Sequence, residues 1–138
     1  MARLSGRPAI ELLGGLLRVA LVENVGAFLS LGERLPEPVR FIVFVVLVGV
    51  GLLAASVWLL RGAGSRPFAQ SVGVALILGG GLGNLIDRLA RGRVVDFLQL
   101  RTGALHTGVF NLGDFAIVAG VLIWARARRR IEPKEEKS

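Results

Sequence analysis

The sequence predicts a mainly α-helical membrane protein, a single integral domain of 138 residues (1–138) whose transmembrane helical bundle has three spans. The first observation is composition, since 53% of the residues are hydrophobic and 20% are charged, with a mean hydropathy of +0.64. A soluble domain carries more charge. The second observation is that the apolar residues form long uninterrupted runs. The third is that arginines lie at the ends of these runs, where lipid headgroups favour them.

The first span is predicted over residues 41–60, which carry no charge. At ~1.5 Å per residue, a helix of this length covers roughly the 30 Å of bilayer hydrocarbon. The second span is predicted over residues 67–86, and it is rich in small residues such as Gly79, Gly80, Gly81 and Gly83. Such a run indicates either close packing of another helix or an opening of the backbone near a site.

The third span is predicted over residues 110–125, with Asn111 and Asp114 near its start. The basic tail at residues 126–138 is expected in the cytoplasm, because arginine-rich flanks stay on that side. Asp114 is then expected near the outer face, and so are residues 1–40, an extracytoplasmic strand or loop segment. Within it, residues 16–24 predict a short strand. Trp58 and Trp124, near the ends of spans, are expected to be interfacial anchors.

The rare residue types exclude several kinds of site. The chain has no cysteine and one histidine, which excludes thiol nucleophiles, disulfides and multi-histidine metal sites. The net charge of +7 is typical of nucleic-acid binding, but the arginines follow the span ends. The expected partner is membrane lipid, not nucleic acid.

Two aspartates are the candidates for chemistry. A carboxylate in a membrane span costs ~2.5–3.5 kcal/mol, so Asp114 indicates either a functional group or a first-turn carboxylate stabilised by the helix dipole. Asp96 lies in an apolar stretch that is predicted at the same level of the membrane. Two neighbouring carboxylates share one proton and titrate as a unit. In aspartic proteases, such a pair activates water and polarises the scissile carbonyl.

Other polar residues flank this pair. Asp87 directly precedes Arg88, and we interpret the two as a structural ion pair. Asn84 is predicted on the same helical face, where it would hydrogen-bond to neighbouring polar groups. Asn111 would do the same on the third span.

Four short motifs follow one another along the chain. They are Asn24-Val25-Gly26-Ala27, Gly83-Asn84-Leu85-Ile86-Asp87-Arg88, Val94-Val95-Asp96-Phe97 and Phe110-Asn111-Leu112-Gly113-Asp114. In this order, and with apolar spans between them, they resemble the motifs of the lipoprotein signal peptidase (signal peptidase II) family. The resemblance covers residues 9–125. Gly113 departs from it, because the family usually has alanine there.

The resemblance implies an aspartic endopeptidase of the bacterial inner membrane. Members of this family remove signal peptides from prolipoproteins, cutting before a cysteine that carries diacylglyceryl. The resemblance also implies inhibition by the cyclic peptide globomycin and no metal or cofactor. By the same resemblance, Asp96 and Asp114 are the catalytic pair, near the extracytoplasmic face.

The resemblance also assigns the surrounding residues. The substrate-binding or supporting residues would be Asn24, Gly26, Asn84, Arg88 and Asn111, and Asp87 would be structural. Residues 16–32 would belong to a small extracytoplasmic β-sheet that cradles the substrate. The family has four transmembrane helices, and this chain is expected to lack the first one, because residues 1–40 contain no apolar span.

Two other functions stay open on the sequence alone. A relative without the first helix would bind lipidated peptides without cleaving them. A small transporter or channel subunit would use Asp114 as a proton or cation site, but this hypothesis leaves the motif around Asp96 unexplained.

Overall fold

The described residues fold into three long helices and a small antiparallel sheet. The structure, a computed structural model, describes residues 3–4, 8–26, 32 and 34–129. The helices are α1, Glu37–Arg61, α2, Phe68–Arg91, and α3, Leu112–Arg129. The strands are β1, Arg3–Leu4, β2, Ile10–Leu12, β3, Leu17–Asn24, β4, Val94–Thr102, and β5, Leu105–His106.

Within the described ranges, α1 and α2 are the two helices long and apolar enough to cross a membrane, with 25 and 24 residues. At ~1.5 Å per residue, each exceeds the roughly 30 Å hydrocarbon layer. Helix α3 has 18 residues and carries Asp114 in its first turn and arginines in its last, so its composition alone does not mark it as a span. The count of three spans stays a prediction.

Prolines and glycines mark the helix boundaries. Helix α1 begins directly after Pro36, four residues before the start of the predicted span. Residues 37–40, which were predicted as part of the strand or loop segment, are therefore helical. Its residues Ile42–Leu47 form a widened, π-type turn. Helix α2 begins after Pro67 and ends at Gly92, whose φ of 69° is the left-handed conformation that glycine adopts at helix ends. The predicted basic tail starts inside α3, and its residues 130–138 lie outside the described part.

Strand β3 is the centre of the sheet. Strand β4 pairs with it on one side, while β1 and β2 pair with it on the other, and β5 pairs with the far end of β4. All these pairs are antiparallel, and β3 matches the strand predicted over residues 16–24. The register places Val22 opposite Asp96 and Asn24 opposite Val94. The sheet therefore brings two of the motifs together, although residues 27–31 of the predicted cradle lie outside the described part.

Helices α2 and α3 pack closely and antiparallel through two pairs of glycines. Gly73 faces Gly120, and Gly80 faces Gly113; a Cβ added at Gly73 or Gly113 would lie 2.8 or 2.9 Å from the carbonyl oxygen of its partner. Small residues allow helix backbones to approach in this way. Because α2 continues unbroken through residues 79–83, these glycines do not open the backbone. Gly80 and Gly81 serve helix packing, whereas a Cβ added at Gly79 or Gly83 would meet nothing within 4 Å.

Candidate active site

Asp114 sits in the first turn of α3, where it caps the helix together with Asn111. The side chain of Asn111 accepts a hydrogen bond from the backbone N–H of Asp114 at 3.0 Å, and Asp114 Oδ2 accepts one from the backbone N–H of Asn111 at 3.2 Å. This reciprocal pair is a capping box, which satisfies two N–H groups that a helix start leaves open. Asp114 is thus a first-turn carboxylate, one of the two interpretations that the sequence left open. Only its Oδ2 is used for capping.

The other oxygen of Asp114 faces helix α2. Asn84 Nδ2 donates a hydrogen bond to Asp114 Oδ1 at 2.9 Å. The close approach of Gly80 to Gly113 makes this contact possible, since Gly113 lies next to Asp114 and Gly80 one turn before Asn84. The packing of the two helices therefore sets the position of the carboxylate.

Asp96 lies on β4 and is buried, with 2% of its surface exposed. Asn24 Nδ2 donates to its Oδ2 at 2.9 Å, and Asn111 Nδ2 donates to its Oδ1 at 2.8 Å. The same Asn111 Nδ2 also donates to Asn84 Oδ1 at 3.1 Å. Two amides thus link Asp96 to Asp114, and no hydrogen bond in the described residues joins the two carboxyl groups directly.

Backbone pairing brings Asp96 next to Asn111. The carbonyl oxygen of Phe110 accepts hydrogen bonds from the N–H groups of Phe97 at 3.0 Å and Leu98 at 2.8 Å, and the N–H of Phe110 donates to Leu98 at 2.8 Å. The residue that precedes Asn111 is therefore fastened to the residues that follow Asp96.

The surroundings of Asp96 favour its protonated form. Burial raises the pKa of the Asp96 carboxyl, and this effect exceeds the lowering by the hydrogen bonds from Asn24 and Asn111. The negative charge of Asp114 raises the pKa further, whereas the positive charge of Arg88 lowers it. Asp96 thus holds a proton to higher pH than an ordinary aspartate.

Arg88 connects the first motif to helix α2. Its Nη2 donates to the carbonyl oxygen of Gly26 at 2.7 Å, and its Nη1 donates to that of Asn84 at 3.3 Å. The N–H of Gly26 in turn donates to Asn24 Oδ1 at 2.9 Å, which orients the amide of Asn24 toward Asp96. Arg88 therefore holds the turn that presents Asn24.

The predicted ion pair between Asp87 and Arg88 was wrong. Asp87 pairs with Arg91 at 3.5 Å, while Arg88 points to Asn84 and Gly26. On a helix, residues four apart share a face and consecutive residues do not. Asp87 stands outside the hydrogen-bonded cluster.

Asp114 borders a cavity of about 320 Å³ between the three helices. The cavity is mainly apolar, and its wall includes Phe44 and Val48 of α1, Asn84 and Arg88 of α2, and Ile117 and Val118 of α3. A second apolar cavity, of about 190 Å³, lies between Asp114 and the β4–β5 hairpin. Asp114 is therefore open to a ligand from two sides, whereas Asp96 is enclosed.

The family described as signal peptidase (SPase) II matches this chain over residues 1–127. The chain belongs to the signal peptidase II family. The lipoprotein signal peptidase of Methylobacterium sp. (strain 4-46) is 40% identical over 120 residues, which are 80% of this chain and 68% of that protein. The lipoprotein signal peptidase of Streptomyces coelicolor is 36% identical, over 96% of this chain and 63% of that protein.

Another relative, the lipoprotein signal peptidase of Burkholderia cenocepacia, is 48% identical over 59% of this chain and 50% of its own length. The chain thus spans between about half and two thirds of the length of these signal peptidases II. A solved structure of a bacterial membrane enzyme superposes with a TM-score of 0.74 at 25% identity, covering 95% of this chain and 77% of the other. A second superposes with a TM-score of 0.76 at 24% identity.

The structure joins most of the site residues that the resemblance to signal peptidase II implied. One cluster contains Asn24, Gly26, Asn84, Arg88, Asp96, Asn111 and Asp114, and Asp87 lies apart. Sequence reasoning missed Phe44, which borders the cavity and whose ring centre is 5.6 Å from the Arg88 guanidinium. Phe44 lies in an apolar run outside all four motifs, where nothing local distinguishes it. Among the described residues, no group of three or more acidic or histidine side chains could hold a metal ion.

Proposed function

We propose that this chain is an aspartic endopeptidase that removes signal peptides from prolipoproteins. It would cut before the cysteine that carries diacylglyceryl, as the resemblance implies. The observation that carries the proposal is the hydrogen-bonded series Asp96–Asn111–Asn84–Asp114 beside a mainly apolar cavity. The family supports the substrate class, because its members act on prolipoproteins.

In the proposed mechanism, one carboxyl group of the pair is ionised and the other is protonated. Asp114, which borders the cavity, takes a proton from a water molecule, and the resulting hydroxide attacks the scissile carbonyl carbon. Asp96, with its raised pKa, supplies the protonated carboxyl that polarises the carbonyl oxygen. Because Asp96 is enclosed and both of its oxygens accept hydrogen bonds, this step requires the bound peptide to displace one of its amide partners. The C–N bond then breaks, and the proton that Asp114 took from the water molecule passes to the leaving amine. Asn84 and Asn111 hold the two carboxyl groups in place.

The proposed location is the bacterial inner membrane, with several spans and the active site near the extracytoplasmic face. A lipid-modified substrate leaves the bilayer only at a large free-energy cost, so the carboxyl groups should lie where water and lipid meet. In this arrangement the sheet lies on the extracytoplasmic side of the membrane, and the arginines that end α3 lie on the cytoplasmic side. Globomycin is the inhibitor that the resemblance implies, and it would occupy the cavity beside Asp114.

Cleavage of a diacylglyceryl-modified prolipoprotein by the full chain in lipid nanodiscs tests the proposal. We expect Asp96→Asn and Asp114→Asn each to lower the rate at least about 100-fold, the lower range for loss of an acid–base group. Glu11→Gln is the matched control, because Glu11 forms an exposed ion pair with Arg101 at 3.2 Å, and such pairs contribute little.

Cleavage at the normal rate by either aspartate variant would show that the proposed pair is not catalytic. If the chain inserts and binds globomycin but cleaves nothing, the alternative function is correct, namely binding of lipidated peptides without cleavage.

A further inference from the structure

A groove of about 520 Å³ runs along α1 at the end of the bundle opposite the carboxyl groups. Val50, Leu53, Ala54 and Val57 form its apolar wall, and Trp58, Arg61 and Arg66 lie at its end. Arg61 is the last residue of α1. Asp96 lies on β4, which follows the opposite end of the bundle at Arg91, and Asp114 lies at the start of α3. The groove is therefore separate from the proposed active site.

Arg66 is held in place at this end. Its guanidinium stacks on the Trp58 ring, 3.6 Å from the ring centre, and its Nη1 donates to the carbonyl oxygen of Trp58. Gly62 is buried beneath this guanidinium, where a side chain would collide with it. A guanidinium fixed in this way loses little conformational entropy when it binds a ligand.

Among the described residues, no carboxylate forms an ion pair with the arginines at the end of the groove. In the described ranges, the three ion pairs join Arg91, Arg93 and Arg101 to acidic residues, and none involves Arg61 or Arg66. A guanidinium has five N–H donors, and the described hydrogen bonds use one of those of Arg66. Two guanidinium groups that line one groove suit a phosphate, which arginine binds with two parallel hydrogen bonds.

The apolar wall decides which phosphate compound fits. From Val50 to Val57 the wall extends for about two helical turns, or ~10 Å along the helix axis, and Val50 and Leu53 are exposed. A ligand that fills both the apolar wall and the positively charged end of the groove has a hydrocarbon chain and an anionic head. We propose that this groove binds one phospholipid with an anionic phosphodiester headgroup, its phosphate between Arg61 and Arg66 and an acyl chain along residues 50–57.

The site goes beyond the proposed function, because it requires that α1 lies in a bilayer but uses none of the catalytic residues. Basic pockets on transmembrane helices bind anionic headgroups by the same physics. Trp58, with an apolar ring and a polar edge, suits the boundary between the two parts of such a lipid.

Quenching of tryptophan fluorescence by brominated lipids tests the proposal. The chain has two tryptophans, Trp58 and Trp124, so Trp124→Phe leaves a single reporter in the groove. The full chain in uncharged detergent micelles is titrated with brominated phosphatidylglycerol or brominated phosphatidylcholine. We expect half-maximal quenching by phosphatidylglycerol at an at least about tenfold lower lipid fraction, a preference of ~1.4 kcal/mol.

Two charge-matched variants separate a specific site from general attraction. Arg61→Gln with Arg66→Gln should abolish the tenfold preference, while Arg126→Gln with Arg129→Gln should keep it. The second pair removes the same charge from the same end of the bundle, because α3 runs antiparallel to α2. Arg61→Gln alone keeps the Arg66–Trp58 stack and should still lower the preference at least about threefold, since a charge near a headgroup contributes about 1 kcal/mol.

Four results would overturn the proposal. The first is equal quenching by both lipids, and the second is loss of the preference in the Arg126 and Arg129 control. The third is full displacement of the lipid by millimolar inorganic phosphate, which would show a simple phosphate site. The fourth is a concentration-dependent dimer that excludes the lipid, which would show that a second copy covers the groove. Cleavage assays on the same variants should be unchanged, so this proposal and the proposed function fail independently.

Discussion

Asn111 illustrates how much one side chain does in this protein. It caps α3 through Oδ1, while its Nδ2 contacts both Asp96 and Asn84. A helix cap and a carboxylate ligand are usually different residues, and here one amide is both. For the same reason, the structural and functional interpretations of Asp114 do not exclude each other, because its two oxygens have different partners.

Two substitutions separate the roles of Asn111. Serine caps helices about as well as asparagine, whereas alanine costs ~1 kcal/mol at this position. We therefore expect Asn111→Ala to lower thermal stability and Asn111→Ser to lower it less. Both remove the amide donor to Asp96, so both should slow prolipoprotein cleavage. Full activity of Asn111→Ser would show that this donor is not needed.

The buried carboxyl of Asp96 predicts a pH dependence of stability. Its native pKa is raised above the unfolded value of about 3.9. As the pH rises through the interval between the two values, the native state binds more protons than the unfolded state, so this carboxyl lowers stability progressively. Above the native pKa the loss is complete and levels off.

Thermal unfolding of the wild type and of Asp96→Asn between pH 4 and pH 8 measures this effect. The stability of the wild type, relative to the variant, should fall as the pH rises and then level off. A relative stability that rises with pH would contradict the raised pKa.

At the scale of elements, the contact between α2 and α3 depends on paired glycines seven residues apart. Gly73 and Gly80 on one helix meet Gly120 and Gly113 on the other. This spacing is two helical turns and places each pair on one face. The contact matters for the site, because it sets the distance between Asn84 and Asp114.

Neighbouring glycines of α2 provide a matched test of this contact. A Cβ at Gly80 would collide with the carbonyl oxygen of Gly113, whereas a Cβ at Gly79 would meet nothing within 4 Å. We expect Gly80→Ala to destabilise the fold by about 1–3 kcal/mol and to slow cleavage. Gly79→Ala should be neutral or stabilising by up to ~1 kcal/mol, since alanine favours helices. Thermal unfolding of both variants decides this, and equal effects would mean that the helices do not meet at Gly80.

The elements differ in how well the sequence predicts them. The three helices follow from apolar runs, and prolines and glycines mark the boundaries of α1 and α2. Both are local features. Strand β3 follows from its β-branched residues. Strand β4 was not predicted, although it carries Asp96, because its pairing with β3 joins residues 70 or more positions apart. No local pattern contains that information.

For the whole molecule, the topology in the membrane is the prediction that remains to be tested. The chain has no cysteine, so single cysteines can be introduced without a background. Leu105 and Ser65 are both exposed, at the β4–β5 hairpin and in the α1–α2 turn. We expect a membrane-impermeant maleimide to label Leu105→Cys in intact spheroplasts, and Ser65→Cys only after permeabilisation. The reverse pattern would invert the proposed orientation.

The sequence by itself determined the long apolar helices, the family motifs and both candidate carboxylates, because hydrophobic runs and motif spacing are properties of neighbouring residues. Only the tertiary structure decided that Asn24, Asn84 and Asn111 bind these carboxylates, that Asp87 pairs with Arg91, and that Trp58, Arg61 and Arg66 share a groove. These contacts depend on strand register, helix packing and side-chain direction. A pattern of neighbouring residues does not specify any of the three.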